Sequence, residues 1–489
     1  MAVEPTSVAL SVAPTSSSLG RAQADHQHLA LGAYAFLAWL IPLALLHGLL
    51  YLVIAPPWQH YDEPTHFEYA WLIANLDHFP ASDEVDLQMR REVAASMDRF
   101  RFFPVGLHPD MTAPDPPALG QNQRVHPPLY YALVSLPLRL VAGLPVDQQL
   151  YTARALSLLL CALTITAAWR VATVVVPDEP LIQMVVPLML LLTPSFADMM
   201  TAVNNDVLVN FAAVALLLGC VLLVCGGLRP TSLTLATLAL GVGLGTKRTA
   251  VILLVPYMIA LVWAWHRTPI RAWVIIGILV GGSVALALTS VEIARTTDGT
   301  QVFTLQPWLA AIDSSYLRLD LDNWVRSVSD TERANGVYKL LLTVSFTSFW
   351  VRFGWGNITI GPWAEWAMAG ICVVCGVGLL IRGWRGRGQL SILQERCNWL
   401  FLIVVLLGCL SLVARVHPLP PSGAAPYIPT GRYLFTIMLP VIWLITLGWQ
   451  GLLPDRWKPY GPIMLLGAWV TIDLIAWGGS LVAYFYGGR

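Results

Sequence analysis

Apolar residues recur in blocks of membrane-spanning length along almost the whole chain, beginning at Leu31. The blocks fall near residues 31–54, 152–176, 181–198, 206–226, 232–246, 249–265, 272–292, 364–381, 399–414, 432–450 and 461–485, with a further candidate at 128–144. A helix needs about 20 apolar residues to cross a hydrocarbon core roughly 30 Å thick, so the pattern predicts an all-α polytopic membrane protein. The polar positions between the blocks predict its orientation. Cation-rich short loops lie at 266–271 (His266, Arg267, Arg271), 382–398 (Arg382, Arg385, Arg387, Arg396) and 451–460 (Arg456, Lys458), and the cytoplasmic bias of Lys and Arg places them inside. With the N-terminus inside, a full crossing at 128–144 would put 266–271 outside, whereas an interfacial segment there leaves every basic loop inside. Parity therefore predicts about eleven spans, within a range of 11–13, with the N-terminus in and the C-terminus out. Pro127, Pro128 and Pro137 fit a segment that does not cross as a straight helix.

This topology divides the chain into a disordered cytoplasmic tail (1–30), a transmembrane module (31–292) holding a first extracytoplasmic loop at 55–127, a second such loop at 293–363, and C-terminal transmembrane helices (364–489). The tail is rich in Ser, Ala, Pro and Thr, and the first span reads as an uncleaved signal anchor of the plasma (inner) membrane. Both loops have room for juxtamembrane helices. Composition agrees: 56% of residues are hydrophobic, 12% are charged and the mean hydropathy is +0.63. The formal net charge is zero, which gives no basic surface for nucleic acid, so partners must be argued from where the charges lie. Seven cysteines fall in apolar spans or a cytoplasmic loop and imply no disulfide framework; Cys372-Val-Val-Cys375 lies inside an apolar helix, where packing is the better reading than redox or zinc chemistry.

The unusual polar residues gather on the outer side. Asp62 and Glu63, within His60-Tyr-Asp-Glu-Pro-Thr-His66, open the first loop, and Gln123 to His126 close it. Asn204-Asn205-Asp206 precedes the fourth span, Lys247-Arg248 occupies the turn between the fifth and sixth, and Gly431-Arg432-Tyr433 stands at the outer end of the tenth. Five separated segments thus bring polar groups to one face. Two adjacent carboxylates suit general-base work, because burial or mutual repulsion raises one pKa while the other stays ionised. Lys247 and Arg248 break the charge rule in an outer turn; they either snorkel to headgroups or, with Arg432, clamp a phosphate. Asn204-Asn205-Asp206 contains one more polar residue pair than a helix cap needs and is free to position an acceptor hydroxyl or help hold a divalent cation. His126 is fixed in a rigid His-Pro-Pro segment.

Two tempting motifs fail. Glu63-Pro-Thr-His66 resembles half a zincin helix, but position 62 is Asp and Pro64 disfavours a helical His pair. Gly241-Val-Gly243-Leu-Gly245-Thr-Lys247 lacks the spacing and context of a nucleotide-binding loop and reads as small residues permitting close helix packing.

Taken in order, the acidic pair, the His-Pro-Pro-Leu segment, the Asn-Asp pair, the Lys in a glycine-rich turn and the late Gly-Arg-Tyr resemble the GT-C superfamily of membrane glycosyltransferases. Tyr61-Asp-Glu-Pro-Thr-His-Phe67, Val203-Asn-Asn-Asp-Val207 and Ser348-Phe-Trp-Val-Arg-Phe-Gly-Trp355 are most similar to a bacterial branch related to protein O-mannosyltransferases and lipid A aminoarabinose transferases. The resemblance runs from about residue 31 to 450. It implies a GT-C fold and inverting transfer of a sugar from a polyprenyl-phosphate donor to a glycan, lipid or protein acceptor at the extracytoplasmic face. It assigns catalysis to Asp62 with support from Glu63, and substrate binding to His66, His126, Asn205, Asp206, Lys247, Arg248, Arg432 and Tyr433. It leaves a divalent cation (Mg or Mn) open, since some members use one and others do not. The chain departs from many protein O-mannosyltransferases in lacking a β-rich insertion. A transporter or flippase of a lipid-linked saccharide, or an oligosaccharide ligase or polymerase, would use the same phosphate-binding cations; a transporter additionally needs polar groups at mid-membrane and often inverted repeats.

Overall fold

The computed structural model describes residues 16–81, 83–104, 108–112, 119–120, 122–265, 289–295, 301–307, 321–385, 391–420 and 425–487. Among these the chain is a predominantly helical membrane protein with eight helices long and apolar enough to cross a bilayer, nine if one bent pair counts as a span. The elements are α1 (Ser16–Ile54), α2 (Glu63–Asn75), α3 (Leu87–Arg99), α4 (Leu129–Leu140), α5 (Val146–Val175), α6 (Pro180–Leu191), α7 (Pro194–Met200), α8 (Asn205–Gly226), α9 (Pro230–Thr246) and α10 (Leu254–Trp265). After these come the hairpin β1 (Thr289–Arg295) and β2 (Gln301–Pro307), then α11 (Leu321–Arg326), α12 (Thr331–Trp350), the short pair β3 (Arg352–Phe353) and β4 (Ile358–Thr359), α13 (Pro362–Arg385), α14 (Ile392–Ala414), α15 (Met438–Leu452), α16 (Gly461–Leu474) and α17 (Val482–Tyr486).

Residues up to Leu43 and those from Ala44 onward form separate units. In the first, the helix begins at Ser16, inside the stretch expected to lack structure. Pro14 is the last breaker before it, and the Ala-, Leu-, Gln- and Arg-containing sequence that follows is a good helix former.

In the second unit α8 is the central helix, with 83% of its most apolar window buried, against 22% for the peripheral α13. Small residues set the closest helix contacts, as expected where lipid supplies no competing hydrophobic drive and packing decides association. On α13 and α15 the backbones touch: a Cβ on Gly448 would collide with the Cys375 carbonyl oxygen, and one on Gly378 with that of Gly448. Within the glycine run at 241–245, Gly243 packs against Ala212 of α8 and Ala250, and Gly245 against Leu129 of α4, where a Cβ would meet atoms at 3.3–3.7 Å. Gly241 faces open space, and the tight approach of α8 to α9 is at Gly219 against Ala236. All seven cysteines are free, and Cys375 packs in that α13–α15 seam.

The second half of α1 is tied to α16 inside the apolar region by a carboxylate. His47 Nε2 lies 2.9 Å from Asp473 Oδ2, and the Tyr51 hydroxyl donates to Asp473 Oδ1 at 2.7 Å. The α6–α7 pair is one apolar stretch bent by 66°. Pro194 removes a helical donor at the break, while the Thr193 hydroxyl donates to the Met189 carbonyl at 2.8 Å and accepts from Trp469 Nε1 at 3.1 Å.

Segment 128–144 contains a helix of 12 residues, α4, which reaches only about 18 Å and is too short to cross. The block at 272–292 falls outside the described residues as far as 288; its last residues, 289–292, are strand rather than helix. There Thr289, Val291 and Ile293 alternate with polar or small residues, a β pattern, and β1 pairs antiparallel with β2 from Thr289 opposite Pro307 to Arg295 opposite Gln301. The 55–127 loop holds α2 and α3, the helices expected of it.

Candidate functional site

Helix α1 ends at Ile54, and the chain turns into α2 through Asp62, whose backbone is left-handed (φ 57°, ψ 12°). Asp tolerates this region better than most residues because its short side chain can satisfy the local backbone. Pro64 in the first turn fits the start of a helix. The consequence of the left-handed residue is that two adjacent acids point in different directions.

Glu63 points inward and is fully buried. It receives Arg154 Nε at 2.8 Å and Nη2 at 2.6 Å, and the backbone N–H groups of Trp58 and Val203 at 3.1 Å each. Those four bonds use the four lone-pair directions a carboxylate has. Arg154, also fully buried, spends its remaining donors on the carbonyls of Leu52 (3.0 Å), Ala55 (2.7 Å) and Pro56 (3.0 Å). Burial pushes the Glu63 carboxyl up, but Arg154, His60 and the hydrogen bonds more than offset this and hold it below its ordinary value. Glu63 is a saturated brace between the end of α1, α5 and the turn before α8. The expected partnership of Glu63 with Asp62 in catalysis is therefore structural: it fixes the loop on which Asp62 sits.

Asp62 points the other way, its side chain 19% exposed, and its Oδ2 accepts from Arg432 Nη2 at 2.6 Å. The Arg432 guanidinium carbon lies 3.8 Å from the centroid of the Tyr61 ring, and Tyr61 stacks on Trp355 with centroids 5.4 Å apart. Arg432 can stand here because Gly431 lets the chain pass against α12: a Cβ at that position would collide with Phe349 N and the Ser345 carbonyl oxygen. Ser348 Oγ accepts from Gly431 N at 2.7 Å, and Ser345 Oγ donates to the Pro429 carbonyl at 2.9 Å.

The Asn-Asn-Asp segment divides its labour. Asn204 is the cap, its Oδ1 accepting from Asp206 N at 2.9 Å while its Nδ2 donates to the Tyr61 carbonyl at 3.0 Å. Asp206 Oδ1 is ion-paired with Lys247 Nζ, both side chains buried. Neither amide atom of Asn205 nor Asp206 Oδ2 has a partner among the described residues, although all three are buried. Lys247 Nζ also lies 5.0 Å from the Tyr433 ring centroid; the guanidinium carbons of Arg432 and Arg415 lie 5.4 Å and 5.0 Å from the same ring, and the Tyr427 hydroxyl donates to that of Tyr433 at 3.4 Å.

His126 lies within electrostatic reach of Lys247, Asp206, Arg248 and Arg432, with its Nδ1 buried and unpartnered among the described residues; burial first, and Lys247 next, push its pKa down to about 3. His66 is buried behind it, Nδ1 2.9 Å from the Tyr131 hydroxyl, and burial together with His126 holds it well below the usual imidazole range. Both rings are neutral at pH 7.

The structure thus joins Asp62, His126, Asp206, Lys247, Arg432 and Tyr433 in one cluster, with His66 and Glu63 behind it. Arg248 begins the 3₁₀ turn that leads into α10 and adds to the field on His126. Among the described residues no group of His, Cys, Asp or Glu is arranged to hold a metal ion, and the two nearest carboxylates are each engaged with a cation. Sequence reasoning missed Arg154, Arg415 and Tyr61. Arg154 carried a signal, a cation just inside an apolar block, where such a residue requires a partner.

A cavity of about 40 Å³ adjoins the cluster, lined by Tyr61, Asp198, Thr430 and Arg432 among others. A larger cavity, about 1540 Å³, lies at the other end of the bundle among Arg382, Arg385, Asp455 and Lys458. Volume and chemistry disagree, and the chemistry is the better guide: the buried ion pairs and unpaired buried amide belong to the first end. No family model matches the chain, and no curated protein matches it.

Proposed function

We propose that the protein is an inverting glycosyltransferase of the GT-C type, moving a sugar from a polyprenyl-phosphate donor to an acceptor at the extracytoplasmic face of the plasma membrane. The observation that carries this reading is the half-buried Asp62–Arg432 pair at the helix ends, beside Lys247, with Asp62 held outward by a left-handed backbone and a saturated Glu63–Arg154 brace. A carboxylate next to cations on a membrane-facing cluster supplies both halves of the transfer. Asp62 accepts the proton of the acceptor hydroxyl as its oxygen bonds to the anomeric carbon from the face opposite the phosphate. The bond from that carbon to the phosphate oxygen breaks, and its electron pair stays on the polyprenyl phosphate. Negative charge grows on the leaving phosphate, where Arg432 and Lys247 stabilise it. The unpaired amide of Asn205 and the neutral ring of His126 are donors and acceptors suited to sugar hydroxyls.

The test is single-turnover transfer by Asp62→Asn in nanodiscs. Loss of a positioned base typically costs about 10²–10⁴ in rate, with fold and donor binding retained. Wild-type turnover in that variant would rule out Asp62 as the base. Lipid movement without sugar transfer in liposomes would instead favour a flippase.

A further inference from the structure

Three cations surround the Tyr433 ring, and two of them are already committed to carboxylates. Lys247 is paired with Asp206, and Arg432 with Asp62. The third, Arg415, is half-buried at the C-terminal end of α14, and among the described residues no carboxylate lies within ion-pairing distance of it. Its guanidinium carbon sits 5.0 Å from the Tyr433 centroid, the same distance as Lys247 Nζ. A cation at a helix C-terminus gains something from the helix dipole, but that explains neither its turn toward Tyr433 nor its position beside two other cations.

From this geometry we infer that Arg415 is the donor-recruiting contact of the site: it binds the phosphate of the lipid-linked sugar while Lys247 and Arg432 are still held by their carboxylates. The inference rests on the proposed glycosyltransferase reading. Charge balance supports it. Two carboxylates against three cations leave one net positive charge around Tyr433, which matches the single negative charge of a phosphodiester between sugar and polyprenol. The product monoester carries about −1.5 to −2, so Arg432, shared between Asp62 and the phosphate, is drawn onto the leaving group as the bond breaks. Arg415 recruits, and Arg432 serves the chemical step.

The experiment measures binding of a fluorescent short-chain polyprenyl phosphodiester, which carries the donor's single charge, to the full chain in nanodiscs, with inorganic phosphate as competitor. Arg415→Gln should weaken binding about tenfold or more, the usual effect of losing one charge-assisted contact, and Arg415→Lys should restore most of it. Under donor saturation, single-turnover transfer by Arg415→Gln should stay within a few-fold of wild type, a KM-type defect that a merely structural role would not give. Should the glutamine variant fold poorly, phenylglyoxal footprinting of the wild-type protein decides: Arg415 should react in the free protein and be protected by the probe. Wild-type binding with unchanged affinity in Arg415→Gln, or equal labelling with and without probe, overturns the role of Arg415 and leaves the glycosyltransferase reading standing. Failure of the wild-type protein to bind the lipid phosphate sinks both. Competition by inorganic phosphate as strong as that of the lipid would mark a free-phosphate site and overturn the donor assignment.

Discussion

Asp62 and Glu63 are chemically near-equivalent neighbours, yet one has four hydrogen bonds and no exposure while the other faces the site through one ion pair. Glu63→Gln is therefore a stability variant. It strands the buried Arg154 charge, at a cost of about 3–5 kcal/mol, and should lower the denaturation midpoint sharply; Glu63→Gln combined with Arg154→Met should recover part of the loss. Equal stability of Glu63→Gln and wild type in a denaturation series would disprove the brace. The same reasoning alters what Lys247→Met can report, since it leaves Asp206 buried without its cation. His126 gives a pH prediction. Its pKa is depressed in the folded protein to about 3 from an ordinary 6.5, so in between the unfolded chain binds a proton that the native state does not. Stability rises with pH where the unfolded state is the more protonated, so this penalty is absent above about 6.5 and grows as pH falls toward about 3. His66 shifts in the same direction. Melting temperatures measured across that window should fall less steeply with acid in His126→Gln; an unchanged slope would show that His126 is not held neutral.

At the scale of elements, the site depends on how closely α12 meets the turn before α15. Gly431 is the only residue type that fits there, because any Cβ would meet the α12 backbone. Gly431→Ala should cost about 1–3 kcal/mol through overpacking and, by shifting Arg432 away from Asp62, slow transfer as well. Gly241→Ala is the control: open space surrounds that position within α9, and helix propensity favours Ala by about 1 kcal/mol. Thermal denaturation and turnover of both variants test the contrast, and a stable, active Gly431→Ala would show that the approach is looser than described.

Across the whole molecule, the polar cluster and the basic segment at 456–458 lie at opposite ends of α15, which is preceded by Arg432 and Tyr433 and followed by Arg456 and Lys458. If the basic end is cytoplasmic, a cysteine placed at exposed Leu87 in α3 should react with a membrane-impermeant maleimide from outside intact cells. One at Arg385 should react only after permeabilisation, both in a background lacking the seven native cysteines. Labelling of position 385 from outside would reverse the orientation.

The class of the protein, the positions of most helices and the residues that deserved suspicion were legible in the sequence, because apolar run length is a local property and a polar residue beside an apolar block is conspicuous wherever it packs. Asp62, Asp206, Lys247 and Arg432 could be named on that basis. Their pairing could not. Arg432 meets Asp62 across 370 positions of chain, and Lys247 meets Asp206 across 41, contacts set by helix packing rather than by any periodicity. Tertiary structure alone turned Glu63 inward toward Arg154, left Arg415 as the cation beside Tyr433 that meets no carboxylate among the described residues, and placed Tyr61 under Arg432. The reason is geometric: composition and pattern fix which faces are apolar, but an ion pair forms only where two particular side chains come within a few ångströms of each other.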